Sequence, residues 1–191
     1  MGLGSTDWLS RSPRRAGKVD VASRAVAVVT GRNIAIPTLA TYWARARHGW
    51  RVTVAADIRT GLTSTDLIIT VTPATEPLVR VDRLPDGVHV TAVGSDAPHK
   101  RELGLDVIAR ADRIAVDDHT QACRLGELKH LDDATLASLP VVTLGAVLAG
   151  TAPGRTSDTD VTIADLTGLG IQDTALANVV VRRLEGCRLH G

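Results

Sequence analysis

Short apolar runs bounded by Gly, Pro, Thr or Asp recur along the chain and set its predicted architecture. Ala25-Val-Ala-Val-Val29, Arg51-Val-Thr-Val-Ala55, Asp66-Leu-Ile-Ile-Thr-Val-Thr72, Gly87-Val-His-Val-Thr-Ala-Val93, Arg113-Ile-Ala-Val-Asp117 and Asp160-Val-Thr-Ile-Ala-Asp165 read as strands, rich in β-branched residues and too short for helices. Residues 36–48 read as a helix opened by Pro37 and closed by Gly49. Helical character returns over 101–110, 119–126 and 135–139, and Pro140 opens an apolar segment of helical character that runs to Gly150. The last helix is expected over 172–184. Strands alternating with helices predict an open α/β sheet, in which ligands bind beyond the carboxyl ends of the strands. Loops 30–35, 72–76, 94–100 and 167–172 follow strands and therefore hold the candidates for chemistry.

Composition narrows the class. With 44% apolar residues in 191, the chain has enough material for a core without disulfides or metals. One unit over 25–191 is expected, preceded by a flexible arm over 1–24 that is rich in Gly, Ser and Arg. Aromatic residues are 2% and Phe is absent, so Val, Leu, Ile and Ala must build the core, as in buried parallel sheets. The balance of 22 Lys and Arg against 21 Asp and Glu removes the basic footprint that nucleic acid requires and gives no pull toward a membrane surface. The longest apolar run, 141–150, is about half of a bilayer crossing, and the polar start lacks the apolar stretch of a secretory signal. Cys123 and Cys187 are too few for a disulfide framework and point to a reducing compartment. The expectation is a cytoplasmic protein with no nucleic-acid or membrane partner.

The first strand-to-helix turn, Thr30-Gly-Arg-Asn-Ile-Ala35, holds Gly31 and Asn33 where a dinucleotide fingerprint would carry several glycines for close approach of backbone to pyrophosphate. Only Gly31 is present, so the motif is degraded. Its context is retained, because Asp57 closes the next strand where a ribose hydroxyl would need an acceptor, and Arg59 leaves a 2′-phosphate open. An ordinary strand-to-helix connection explains the same residues. In Gly94-Ser-Asp-Ala-Pro-His-Lys100, Asp96 would lie at the sheet's carboxyl edge with Lys100 four positions on. Partial burial there would raise the Asp96 pKa toward a range useful for proton transfer; alternatively Asp96 caps a following helix. His119 and Cys123 share a helical face, but no second pair completes a metal site, and Asp117-Asp118 reads better as a helix start. No metal is expected. Trp43 and Trp50 read as packing residues.

Two segments together, Asp66-Leu-Ile-Ile-Thr-Val-Thr-Pro-Ala-Thr-Glu-Pro77 and Gly94-Ser-Asp-Ala-Pro-His-Lys-Arg-Glu-Leu103, resemble the ornithine cyclodeaminase/mu-crystallin family. Ala109-Arg-Ala-Asp-Arg-Ile-Ala-Val-Asp117, Leu144-Gly-Ala-Val-Leu-Ala-Gly-Thr-Ala-Pro-Gly154 and Asp165-Leu-Thr-Gly-Leu-Gly-Ile-Gln-Asp173 agree in order and spacing, so the likeness runs over about 51–184. It implies a Rossmann-type, doubly wound, mostly parallel sheet with flanking helices, NAD or NADP as cofactor, and a small amino or imino acid as substrate. The chemistry implied is cyclodeamination or imine/amino acid oxidoreduction. Carried over by motif, Asp96 matches the family's catalytic aspartate. Thr72, Pro73 and Ala74 would contact the cofactor, Val93, Gly94 and Lys100 would line its nicotinamide-ribose side, and Thr167 and Gly168 would close the pocket. Gly31, Asn33 and Asp57 complete the cofactor-binding set.

The family also carries an N-terminal domain that grips the substrate carboxylate and mediates dimerisation, and almost nothing precedes Ala25 here. The resemblance therefore leaves a second expectation beside the enzyme: a truncated, non-catalytic dinucleotide- or partner-binding relative. A homodimer or a complementing subunit is the expected protein partner.

Overall fold

The computed structural model describes residues 26–30, 58–62 and 65–188. The predicted arm over 1–24, the strand over 51–55, the helix over 36–48, and Gly31, Asn33, Trp43, Trp50 and Asp57 lie outside the described residues.

Among the described residues six strands form one sheet: β1 (Val26–Thr30), β2 (Leu67–Val71), β3 (His89–Ala92), β4 (Arg113–Val116), β5 (Val141–Thr143) and β6 (Thr162–Asp165). Their spatial order is β1-β2-β3-β6-β4-β5, and every neighbouring pair is parallel. The molecule is thus a Rossmann-type, doubly wound α/β sheet. Burial follows from this order. In β2, β3 and β4 alternate side chains are fully buried, Ile68 and Thr70, Val90 and Ala92, Ile114 and Val116. In β6, which lies between β3 and β4, all four residues are buried. A strand covered on both faces has no solvent side for a polar alternation to serve.

The helices are α1 (Ile58–Leu62), α2 (Leu105–Ala109), α3 (His119–Ala122), α4 (Asp133–Ser138), α5 (Leu144–Leu148) and α6 (Gly170–Arg188). Val107 and Ile108 of α2, together with Leu62, Leu103 and Leu128, pack against Ile68, Val90, Ile114 and Ile163 of the sheet. The aliphatic core expected from the scarcity of aromatic residues is what forms.

Several boundaries differ from expectation for local reasons. The helix expected over 101–110 starts only at Leu105, because Leu103 pairs with Val79 as an isolated parallel bridge and holds 101–103 extended. The helix expected over 119–126 ends at Ala122 and gives way to a turn, and a 3-10 turn follows at Glu127–His130. The apolar segment after Pro140 divides: Val141–Thr143 forms edge strand β5 on β4, and helicity begins at Leu144. Thr143 serves both elements, since it ends the strand and its Oγ1 accepts the Ala146 N–H as the cap of α5 (3.2 Å). Gly150 then stops the segment with φ of 74°, a conformation that glycine adopts without strain.

Candidate functional site

Because every strand is parallel, all carboxyl ends lie along one edge of the sheet. The order β2, β3, β6, β4 sets loops 72–76, 94–100 and 166–169 and the Asp117-Asp118 pair side by side on that edge. The strand ends are level, with Thr70 opposite Ala92, and Asp165 opposite both Ala92 and Val116. Thr72, Pro73 and Ala74 follow β2, Val93, Gly94, Asp96 and Lys100 follow β3, and Thr167 and Gly168 follow β6. The described site candidates therefore gather on one edge; Gly31, Asn33 and Asp57 lie outside the described residues.

Asp96 sits on the turn after β3 with its carboxylate 53% exposed and its Oδ1 2.5 Å from Lys100 Nζ. The Lys100 hydrogen bond holds the carboxyl below the usual carboxylate range, so the expected upward shift from burial does not occur in this arrangement. Asp96 is not a helix cap either. The Lys100 N–H donates to Ala97 O, 97–100 is a closed turn, and the next helix starts at Leu105.

The backbone donors of Thr72, Ala74 and Gly94 are already used. The Thr72 N–H donates to Glu102 Oε1 (2.7 Å), the Gly94 N–H to Glu102 Oε2 (2.8 Å), and the Ala74 N–H to Thr72 Oγ1 (3.2 Å). Thr72 and Gly94 are buried, whereas Pro73 and Val93 face solvent, as does Val71 at the end of β2. Apolar surface and the Asp96–Lys100 pair, rather than amide groups of 72 and 94, are what this part of the edge offers a ligand. Gly94 has a packing reason of its own. A Cβ there would lie 2.2 Å from Thr72 O and 2.5 Å from the Glu102 carboxyl carbon.

Behind the edge runs a chain of buried carboxylates that sequence reasoning did not find. Glu102 is fully buried and also receives the Thr70 hydroxyl on Oε2 (2.7 Å). Its own N–H donates to Glu127 Oε1 (2.8 Å), and the Leu103 N–H to Glu127 Oε2 (3.1 Å). The Glu127 N–H in turn donates to Asp165 Oδ2 (2.9 Å) at the end of β6. Burial pushes the Glu127 carboxyl up, and pushes that of Asp165 up to about 7. Asp165 Oδ1 is buried with no hydrogen-bond partner among the described residues. Lys129 answers from the cationic side. Its ammonium lies within 2.6–3.0 Å of Lys100 O, Ser95 Oγ, Leu125 O and Gly126 O, and burial lowers its pKa.

Thr167 and Gly168 are locked from β4 and α3. Asp117 accepts the Thr167 N–H and hydroxyl (3.0 Å each) and the Gly168 N–H (2.7 Å). Gln121 Nε2 donates to Thr167 Oγ1 and Gly168 O. Asp118 caps α3 through the Gln121 N–H (2.7 Å), as the sequence suggested for this acidic pair. His119 Nδ1 and Cys123 Sγ are 3.8 Å apart, and among the described residues no group of three His, Cys, Asp or Glu side chains is placed to hold a metal.

Residues 24–187 match the ornithine cyclodeaminase/mu-crystallin family. An uncharacterized cyclodeaminase of Sinorhizobium fredii is 44% identical over 145 residues, which is 74% of this chain and 43% of that protein. An archaeal alanine dehydrogenase dimer solved with bound NAD superposes with a TM-score of 0.74 at 29% identity, covering 86% of this chain and 51% of the other. The iminosuccinate reductase of Paracoccus denitrificans, in complex with NAD+, gives 0.69 at 29% identity over 86% and 58% of the two chains. The chain thus spans about half the length of these relatives or somewhat more or less.

Proposed function

The chain belongs to the ornithine cyclodeaminase/mu-crystallin family, and on that footing we propose that it binds NAD or NADP and acts on a small amino or imino acid, by cyclodeamination or by imine/amino acid oxidoreduction. The observation that carries the reading is the Asp96–Lys100 pair, standing at the carboxyl edge between the ends of β2, β3 and β6. Parallel sheets bind nucleotides at this edge. The exposed faces of Pro73, Val93 and Val71 suit the flat, weakly polar surface of a nicotinamide ring. Thr72, Ala74 and Gly94 shape the turns that would hold it, and Thr167 and Gly168 bound the site on the far side. Gly31, Asn33 and Asp57 complete the cofactor set on the reading of the motif.

The bound nicotinamide supplies a hydride acceptor or donor. The protein's part is the proton. Asp96 accepts one from the substrate nitrogen as an amine becomes an imine, and returns it in the reverse direction. Lys100 keeps the carboxylate ionised until substrate arrives, and the substrate's own ammonium would displace that lysine from Oδ1.

The openness of the edge around Asp96 favours a second reading, a non-catalytic dinucleotide- or partner-binding relative. A second copy of this chain is the protein partner we assign, seated on α6. That helix exposes Leu176, Val180 and Leu184 along one stripe, and the similar alanine dehydrogenase is a dimer. The cytoplasm is the compartment that fits a chain with so few cysteines; among the described residues no helix is long and apolar enough to cross a membrane.

Thermal unfolding with and without millimolar NADH or NADPH tests the reading. A ligand at a hundred times its dissociation constant stabilises by about 2.7 kcal/mol, a clear rise in Tm. A rise followed by turnover of an imino acid supports the enzyme, a rise without turnover on any amino or imino acid supports the dinucleotide-binding relative, and no rise with either nucleotide refutes both of these and leaves the partner-binding relative.

A further inference from the structure

The β2–β3 ladder ends at Thr70 and Ala92, apart from the Val93 N–H donated to Thr70 O (3.0 Å). Beyond that point the two strands part into the loops proposed to bracket the cofactor. What joins them there is the side chain of Glu102, which takes the Thr72 N–H on one oxygen and the Gly94 N–H, with the Thr70 hydroxyl, on the other. Burying a carboxylate costs several kcal/mol unless its oxygens are bonded, so each of the three donors helps to hold the arrangement. The packing leaves no slack. A Cβ on Gly94 would overlap both the Thr72 carbonyl and the Glu102 carboxyl, so the two loop backbones and the carboxylate touch face to face. Glu102 is itself fixed at its N–H by Glu127, which is fixed at its N–H by Asp165 of β6.

We propose that Glu102 is the positioning residue of the nucleotide site: its buried carboxylate sets the spacing of the 72–74 and 93–95 turns between which the cofactor lies. This rests on the cofactor reading above. The residue touches neither cofactor nor substrate. It acts through the backbone of Thr72 and Gly94, whose amides it withdraws from the ligand and whose separation it dictates. An isosteric amide in its place turns one acceptor into a donor that faces an N–H, so one of the two turns is released.

The test is NADH and NADPH affinity, by fluorescence titration of the purified chain, read beside the melting temperature. Glu102→Gln is expected to weaken nucleotide binding by about tenfold or more, the loss of one hydrogen bond to a charged acceptor. Thr70→Val, which removes only the hydroxyl partner and suits a strand, is expected to weaken it less, by a few fold, and decides the matter if Glu102→Gln does not fold. Ile114→Val, a core change remote from both turns, serves as the control for lost stability alone and should leave affinity unchanged. Wild-type affinity in the folded Glu102→Gln protein, or in Thr70→Val where Glu102→Gln does not fold, overturns the proposal and leaves the cofactor reading intact. So does an equal affinity loss in Ile114→Val at equal loss of melting temperature. Absence of NADH and NADPH binding by the wild-type chain overturns the cofactor reading, and the role of Glu102 with it.

Discussion

The ammonium of Lys129 lies 2.6 Å from the carbonyl oxygen of Lys100, so the side chain of one lysine fixes the backbone of another. The same ammonium reaches Ser95 Oγ, and the two contacts span the turn that carries Asp96. Replacing Lys129 with Met keeps the unbranched apolar stem of the side chain but removes the ammonium and strands these acceptors. Lys129→Met should lower unfolding stability by about 1–3 kcal/mol in urea titrations, with Lys129→Arg recovering part of the loss.

Asp96 itself is half exposed and bonded on its side chain to Lys100, so its removal should cost the fold little. Asp96→Asn is expected to leave NADH affinity near wild type and to reduce turnover of an imino acid by about a hundredfold or more, the worth of a positioned proton donor. Steady-state rates beside a binding titration check this. Turnover equal to wild type would remove Asp96 from the chemistry.

Gly94→Ala separates a packing glycine from a ligand-contact glycine. The added methyl would meet the Thr72 carbonyl and the Glu102 carboxyl at 2.2 and 2.5 Å, both held from behind. A loss of about 1–3 kcal/mol or more is expected in the absence of any nucleotide, measured by chemical unfolding.

Stability should fall as pH rises from 6.5 to 8. Burial lifts Asp165 to about 7 and Glu127 above the ordinary carboxylate range, so the folded chain holds their protons more tightly than the unfolded one. Their contribution is complete at low pH and is lost as pH climbs through about 7 for Asp165, with a slope of at most about 1.4 kcal/mol per pH unit for one proton. His89 acts in the opposite sense at lower pH. Burial, then the charge of Arg155, drops its pKa from 6.5 to about 4, so its contribution is lost on acidification through that interval. Urea midpoints across pH 6.5–8 should therefore decline in the wild type and flatten in Asp165→Asn.

The apolar stripe of α6 predicts self-association. Sedimentation should show dimers whose population grows with concentration, and Leu176→Glu combined with Val180→Glu should give monomers with an unchanged sheet by circular dichroism. A monomeric wild type at high concentration would refute the assignment.

How much of this was legible in the sequence varies with the range of the forces involved. Strands β2, β3, β4 and β6 were readable because each is a run of β-branched residues closed by a turn former, a purely local signal. Strand β5 was not: Val141-Val-Thr143 is short and continues without a break into Leu144-Gly-Ala-Val-Leu148, and only pairing with β4 tells the two apart. The site divides the same way. Asp96 and Lys100 stand out as a pair at i, i+4 on a loop. Glu102 and Glu127 look like ordinary surface charges, since glutamate is seldom fully buried, and apart from Gly94, eight positions from Glu102, the groups cited as bonded to them lie 24 to 38 positions away. The one local hint is that each precedes a leucine that is itself buried, Leu103 and Leu128.

The placement of β6 between β3 and β4 has a consequence for how the chain is made. As it leaves the ribosome, β1, β2 and β3 emerge as one ribbon and β4 with β5 as another, each with an unfilled edge. No strand pairing joins the two until residues 162–165 arrive and enter the slot between them. Two open parallel edges, lined by Val90 and Ile114, wait while residues 117–161 are made, which is the condition that favours pairing with the wrong neighbour. A chain that stops before Thr162 lacks the one strand that pairs with both β3 and β4, so its loss divides the sheet instead of shortening it.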